Sequence, residues 1–300
     1  MSASAKAALA LRKTMLVVDP QQNIKNLLDG LVREEGWNLK QALDNQTALS
    51  MAKECSFDLI ITGQKTSGRE DLELLRKVRH VRPHMRMIIL TDRGTPEEVL
   101  ASLCQNVFSY FRAPFDESLM AHMVHTAMTQ PCWDDGIEVI SATRKWIRVL
   151  ARCTKETADR LIQFLREADI PFAEREDVAL AAHEILLNAM EHGGHFNPYE
   201  YVEIGYLRTK RMVVCRVKDP GRGFSFEDLQ HAAINSPPDD LFAHVAVREE
   251  KGLRPGGFGI LLASKLVDEL IYGQHGDDVM LIKYLDPLSG GRTWASSMPS

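Results

Sequence analysis

The run Val178-Ala-Leu-Ala-Ala-His-Glu184-Ile-Leu-Leu-Asn188-Ala-Met-Glu-His192-Gly193 decides how the second half of this 300-residue chain is read. Val178, Ala181, Ile185 and Ala189 recur at helical spacing and form a stripe able to face a sheet. Beside it Glu184, Asn188 and His192, four apart, stand one above another. A carboxylate and a carboxamide one turn apart at the rim of a packed face suit a magnesium and phosphate site. A solvated polar helix face is the plain alternative. A zinc-protease helix is set aside, because the second histidine after His183-Glu184 would fall where Leu187 stands.

Outward from this helix lie two glycine-bearing motifs. Val217-Lys218-Asp219-Pro220-Gly221-Arg222-Gly223 follows a strand pattern. Its two glycines let the backbone turn sharply and approach a ligand, and Asp219 presents an acceptor for an adenine amine. An ordinary turn is the competing reading. Gly256-Gly257-Phe258-Gly259 opens an amphipathic stretch that runs as a helix to Leu270. Small residues at a helix N-terminus leave N–H groups pointing outward, which suits phosphates, although a flexible loop ending in a cap has the same composition. Neither a P-loop nor the motif set of eukaryotic-type protein kinases occurs.

Together, E-x-x-x-N on a helix, D-x-G-x-G after a strand and G-G-F-G opening a helix, in this order within about 75 residues, resemble the Bergerat-fold ATPases. The runs A-x-H-E-I-L-L-N-A-M-E-H-G and G-G-F-G-I-L-L-A-S-K-L-V-D-E-L are most similar, within that superfamily, to the anti-sigma-factor serine kinases of bacterial partner-switching systems. The resemblance implies ATP and Mg²⁺ as cofactors, with Glu184 as general base and Asn188 as the Mg²⁺ ligand. Asp219 would accept from adenine, Gly221, Gly223, Gly257 and Gly259 would bed the nucleotide, and Phe224 to Gly256 would be an ATP lid. It also implies partners: a STAS-type antagonist phosphorylated on serine or threonine and a sequestered sigma factor or other regulator, with a homodimer compatible. The alternatives are a non-catalytic ATP-dependent adaptor and a histidine-kinase-like accessory of a phosphorelay. No H-[ED]-x-x-[TN]-P acceptor segment precedes the ATPase pattern.

The first half has another rhythm. Apolar runs at Met15 to Val18, Asp58 to Thr62, Met87 to Thr91 and Val107 to Phe111, with a weaker one at Asn38 to Leu43, alternate with amphipathic stretches. Five such units predict a doubly wound, flavodoxin-like α/β domain with its site at the strands' carboxyl ends. These tips resemble the receiver domain of response regulators, but depart from it where the chemistry belongs. Asp19 is followed by Pro20 rather than a second acid, Gly63 stands where the acceptor aspartate should, and Ala113 replaces the lysine, so that Asp19 and Thr91 alone survive. The expectation is a pseudoreceiver used for docking or dimerisation; the alternative makes Asp58 or Asp19 the acceptor.

The fold class predicted is thus α/β throughout, a receiver followed by an α/β sandwich. The expected boundaries are a pseudoreceiver at 1–130, a linker at 131–136, the ATPase domain at 137–289 and a flexible tail at 290–300. A net charge of −5 with neither half basic argues against nucleic acid and anionic membrane as partners. No apolar run approaches a membrane span, and Ala7 to Leu11 is too short for a secretory signal, so the expected location is cytoplasmic. Five cysteines, odd in number and never at C-x-x-C spacing, indicate neither a disulfide framework nor a zinc site.

Overall fold

The computed structural model describes residues 13–21, 23–63, 65–130, 136–223 and 259–285. The chain divides into two compact units, one of Met1–Ile137 with Asp159–Ala168, the other of Glu138–Ala158 with Asp169–Ser300. Notably, a ten-residue stretch from beyond the linker belongs to the first unit.

In the first unit β1 (Thr14–Val18), β2 (Asn38–Ala42), β3 (Leu59–Thr62), β4 (Arg86–Thr91) and β5 (Ser109–Arg112) form one parallel sheet in the order β2-β1-β3-β4-β5. Between them run α1 (Asn23–Glu35), α2 (Asn45–Glu54), α3 (Gly68–Arg79) and α4 (Pro96–Cys104), and α5 (Glu117–Thr129) follows β5. Met15 to Val18, Leu59 to Ile61 and Met87 to Leu90 are fully buried. A parallel sheet covered on both faces demands such unbroken apolar runs, which is why period-two alternation is missing from these strands. Three of these helices start where the sequence supplies a side-chain cap. Asp44 accepts from Thr47 N at 2.7 Å, Thr95 and Glu98 form a capping box around Pro96, and Asp116 accepts from Ser118 N and Leu119 N. The doubly wound fold is therefore as predicted. The fifth strand begins two residues later than the apolar run at Val107, because the first ladder pair is Ile88 with Ser109.

The free edge of β5 is sealed by side chains of α6 (Lys155–Glu167). Arg160 Nε donates to Phe108 O at 3.0 Å, and Gln163 Nε2 donates to Tyr110 O at 3.0 Å. Glu167 accepts from Arg112 N and from Arg112 Nε at 2.8 Å, while Arg112 Nη2 donates to Glu167 O. Residues 160, 163 and 167 share one helix face, so a single helix satisfies backbone groups that an open edge strand would offer to another chain. Arg160 also lies over the Phe108 ring at 4.2 Å, with Arg86 on the same ring at 5.1 Å.

The second unit holds a six-stranded sheet in the order β10-β11-β9-β8-β7-β6. Its strands are β6 (Ile137–Ala142), β7 (Trp146–Arg152), β8 (Tyr201–Arg208), β9 (Met212–Lys218), β10 (Glu269–Tyr272) and β11 (Asp278–Tyr284). The pairs β7 with β8, β8 with β9, β9 with β11 and β10 with β11 are antiparallel. Helix α7 (Phe172–Asn188) packs on β9 and β11, and α8 (Gly259–Leu266) packs along α7. Val178, Ala181, Ile185 and Ala189 are buried as their spacing requires. Two expectations need correction. The helix from Gly259 stops at Leu266 rather than Leu270, because Glu269 to Tyr272 pair with β11 instead. Beyond Asn188 the helix widens into a π turn over Ala189–Gly193. A π turn takes more residues than an α turn, so His192 loses the register it would share with Glu184 and Asn188, and it is exposed.

One carboxyl in the first unit sits wholly inside. Asp71 on α3 accepts from Asn45 Nδ2 at 2.9 Å and lies 2.7 Å from the Thr66 hydroxyl, which is also 2.6 Å from Gly63 O. Burial pushes the Asp71 carboxyl up to about 6, against the pull of Asn45 and Thr66.

Two measurements probe these contacts. Glu167→Ala should lower unfolding stability by about 2 kcal/mol in urea titration, because it strips a guanidinium that is itself mostly covered. Arg33→Ala, in the exposed Asp29 pair, should cost less than about 0.5 kcal/mol in the same assay. For Asp71 the folded chain keeps its proton up to about pH 6, whereas the unfolded chain releases it near 3.8. Its contribution is thus most favourable below the lower value and is lost as pH rises through the interval, by about 3 kcal/mol. Asp71→Asn should flatten that part of a stability profile taken by urea titration across the same interval.

Candidate functional site

In the second unit the structure brings Glu184, Asn188 and Gly259 together. Glu184 and Asn188 project one turn apart from α7, both half-buried beside the packed stripe. Gly259 is the first residue of α8. A Cβ placed on it would lie 2.6 Å from Glu184 Oε2 and 3.5 Å from Asn188 Nδ2. Only a residue without a side chain lets the helix start this close, so the first turn of α8 stands against the carboxylate and carboxamide. The arrangement offers a proton acceptor, a neutral oxygen ligand and an anion-favouring helix end in one place.

Asp219 follows β9 and is held by its own backbone and its neighbours. Its N–H donates to Asp277 O at 2.9 Å, and its Oδ1 accepts from Gly221 N at 2.7 Å. Oδ2 takes no hydrogen bond among the described residues. Partial burial pushes the Asp219 carboxyl above the usual range, with the Gly221 amide pulling it back and Asp277 adding to the rise. Gly223 is the one glycine here that both conformation and space require. Its φ is +74°, and a Cβ would lie 1.6 Å from His275 O in the turn between β10 and β11. Gly221 is tight as well, since a Cβ there would lie 2.8 Å from Asp219 Oδ1 and 2.9 Å from Gly193 Cα. Asp219 thus stands at the far end of the helix that carries Glu184 and Asn188, beside Gly193. Gly257 and the segment from Phe224 to Gly256 lie outside the described residues.

ATP and Mg²⁺ are implied by the sequence motifs, and the residues present fit them. A half-buried carboxylate with one oxygen that takes no hydrogen bond among the described residues suits a base amine, glycines leave backbone-lined room, and Asn188 supplies an uncharged oxygen for a hard cation. Gly193 was the residue sequence reasoning gave no role. Its signal is the pair Gly193-Gly194 directly after a helix, which reads as a helix cap, yet neither glycine has a positive φ.

In the first unit Asp19, Gly63, Thr91 and Ala113 sit at the carboxyl ends of β1, β3, β4 and β5. Asp19 is 5% exposed, and both its oxygens are engaged: Oδ1 accepts from Gln21 N and Oδ2 from Ile24 N, each at 2.9 Å. The acid acts as a cap for α1. Gly63 N donates to Val18 O at 2.7 Å, and a Cβ at 63 would lie 2.8 Å from that oxygen and 3.3 Å from Asp19 Cβ. Thr91 Oγ1 accepts from Arg93 N at 3.2 Å, and Ala113 N donates to Thr91 O at 2.8 Å. Among the described residues no group of three or more His, Cys, Asp or Glu is placed to hold a metal ion, and no helix is long and apolar enough to cross a membrane.

Two families of known proteins match separate stretches of the chain. Residues 15–125 match the family described as response regulator receiver domain, and residues 147–283 match the histidine kinase-like ATPase domain. Sporulation initiation phosphotransferase F of Bacillus subtilis is 27% identical over 106 residues, 35% of this chain and 86% of that protein. Transcriptional regulatory protein GlrR of Escherichia coli is 26% identical over 132 residues, 43% of this chain and 30% of that protein. The chain therefore spans less than a third of GlrR. Among solved structures, a receiver domain protein from Methanospirillum hungatei is 23% identical, with a TM-score of 0.35 over 39% of this chain and 94% of that one. A response regulator from Thermotoga maritima is 21% identical, with a TM-score of 0.36 over 40% of this chain and all of that one. This chain joins a response-regulator receiver domain to a histidine kinase-like ATPase domain.

Proposed function

We propose that this chain is a bacterial signalling switch that transfers the γ-phosphoryl group of ATP to a serine or threonine of a STAS-type antagonist protein and, in its other state, sequesters a sigma factor or similar regulator. The observation that carries the reading is the cluster of Glu184, Asn188 and Gly259, where a carboxylate stands against a helix N-terminus. Glu184 takes the proton of the partner's hydroxyl as its oxygen bonds to the γ-phosphorus. The bond from that phosphorus to the bridging oxygen breaks, and ADP leaves. Asn188 and the phosphates would hold Mg²⁺, which supplies charge neutralisation when bound. The start of α8 stabilises the charge that develops on the transferring group. Asp219 orients the base, which fixes the phosphates relative to Glu184.

The receiver domain, in this reading, gathers input by docking. Asp19 is spent on capping α1, and position 63 has no room for a carboxylate beside Val18 O.

Glu184→Gln keeps the shape of the side chain and loses the base. Nucleotide affinity should persist while phosphate incorporation into the captured partner falls about 10² to 10⁴ fold. Asn188→Ala should lose Mg²⁺-dependent affinity and transfer together. Equal incorporation by wild type and Glu184→Gln would sink the kinase reading and leave an ATP-dependent adaptor. Acid treatment of the product separates serine or threonine phosphate, which survives, from histidine phosphate, which does not. Incubating the full chain with acetyl phosphate and Mg²⁺ should give no phosphoaspartate by mass mapping within residues 13–130; a mapped adduct would refute the docking role.

A further inference from the structure

Gly193 closes the π turn at the end of α7 and touches Asp219. Its φ is not positive, so the backbone there would accept any residue, and what excludes one is space. A Cβ on Gly193 would lie 2.3 Å from Asp219 Oδ1, 2.4 Å from its Cγ and 2.5 Å from its Cβ. Rotation of the Asp219 side chain relieves the first two contacts but not the third, because a Cβ moves only with its backbone. That backbone is pinned by the bond from Asp219 N to Asp277 O at 2.9 Å. The turn is pinned on its other flank: a Cβ on Gly194 would lie 2.3 Å from Cys153 Sγ, and Phe196 N donates to Met190 O at 2.8 Å. Two successive glycines therefore let the end of α7 lie between Asp219, just past β9, and Cys153, just past β7.

We infer that Gly193 is a positioning residue that fixes the Asp219 carboxylate and thereby sets the site's preference for a purine bearing an exocyclic amine at C6, adenine over hypoxanthine. The inference rests on the nucleotide-binding reading above. A carboxylate whose Oδ1 is held by the Gly221 amide presents Oδ2 at one fixed place. An amine donor at that place is rewarded. A base with a carbonyl there, as in inosine triphosphate, sets acceptor against acceptor. Displacing Asp219 by the width of a methyl group removes the distinction without touching Glu184, Asn188 or the start of α8.

The test compares Mg²⁺-dependent binding of ATP and inosine triphosphate to the full chain by calorimetry. Wild type should favour ATP by about tenfold or more, the scale of one charged hydrogen bond. Gly193→Ala should weaken ATP about tenfold, change inosine triphosphate by less than about threefold, and bring the ratio near unity. Gly221→Ala crowds the same carboxylate from the other side and should collapse the ratio too, which keeps the question answerable should Gly193→Ala fail to fold. Gly194→Ala disturbs the same turn away from Asp219 and should keep the wild-type ratio. Equal weakening of both nucleotides by Gly193→Ala and by Gly221→Ala, or a retained ratio in both, overturns the positioning role while leaving the nucleotide site standing. Failure of wild type to bind either nucleotide overturns the nucleotide site and this inference with it.

Discussion

Helix α7 has to satisfy two demands at once, and the second unit is arranged around that constraint. Val178, Ala181, Ile185 and Ala189 must leave water, which presses the helix onto β9 and β11. Glu184 and Asn188 must stay at the rim of that contact, because a carboxylate driven fully under the sheet would lose its hydration without a compensating partner. The stripe and the rim differ by a small rotation, so the helix has one acceptable setting. With it set, α8 can approach only through Gly259, and β9 must end where the π turn leaves room. The positions of Asp219 and of Gly259 follow from how one amphipathic helix beds down.

The sequence was legible where burial is periodic and opaque where packing is tertiary. Apolar runs announced the five parallel strands, the one at Asn38 to Leu43 weakly, and the amphipathic stretches between them announced the helices. Leu266 to Tyr272 misled, since Leu-Val-Asp-Glu-Leu fits a helix as well as it fits the approach to an edge strand; pairing with β11, seven and more residues away, decided it. The π turn left no trace in spacing; the residues it lies against, Cys153 just past β7 and Asp219 just past β9, are far from it in sequence. Glu184, Asn188 and Asp219 were visible as chemistry. Gly193 was not, because a glycine that exists to make room looks, in a string of letters, like one that exists to turn a corner.

At the strand tips of the receiver domain, backbone groups occupy the polar side chains. Asp19 keeps its place at the tip of β1, yet each oxygen now answers a backbone amide of the following turn. With Gly63 in place, the β3 tip closes onto Val18 O by a hydrogen bond of its own. Nearby, Asp71 holds Asn45 and Thr66 from inside, a carboxyl recruited to tie loops together. Asp19 serves the backbone, and Asp71 serves two side chains. The fold tolerates this because its core, built from Met15, Val17, Leu59, Ile61, Ile88 and Leu90, lies beneath the tips and does not depend on them.

The seal on β5 gives the modular chain an asymmetry. Arg160, Gln163 and Glu167 lie within the sequence span matched by the ATPase family, yet they finish the sheet of the other domain. A gene recombined at residues 131–136 would deliver a receiver with an unguarded strand and an ATPase whose helix has a vacant polar face. A cut at that seam therefore separates the β5 edge from the side chains that cover it.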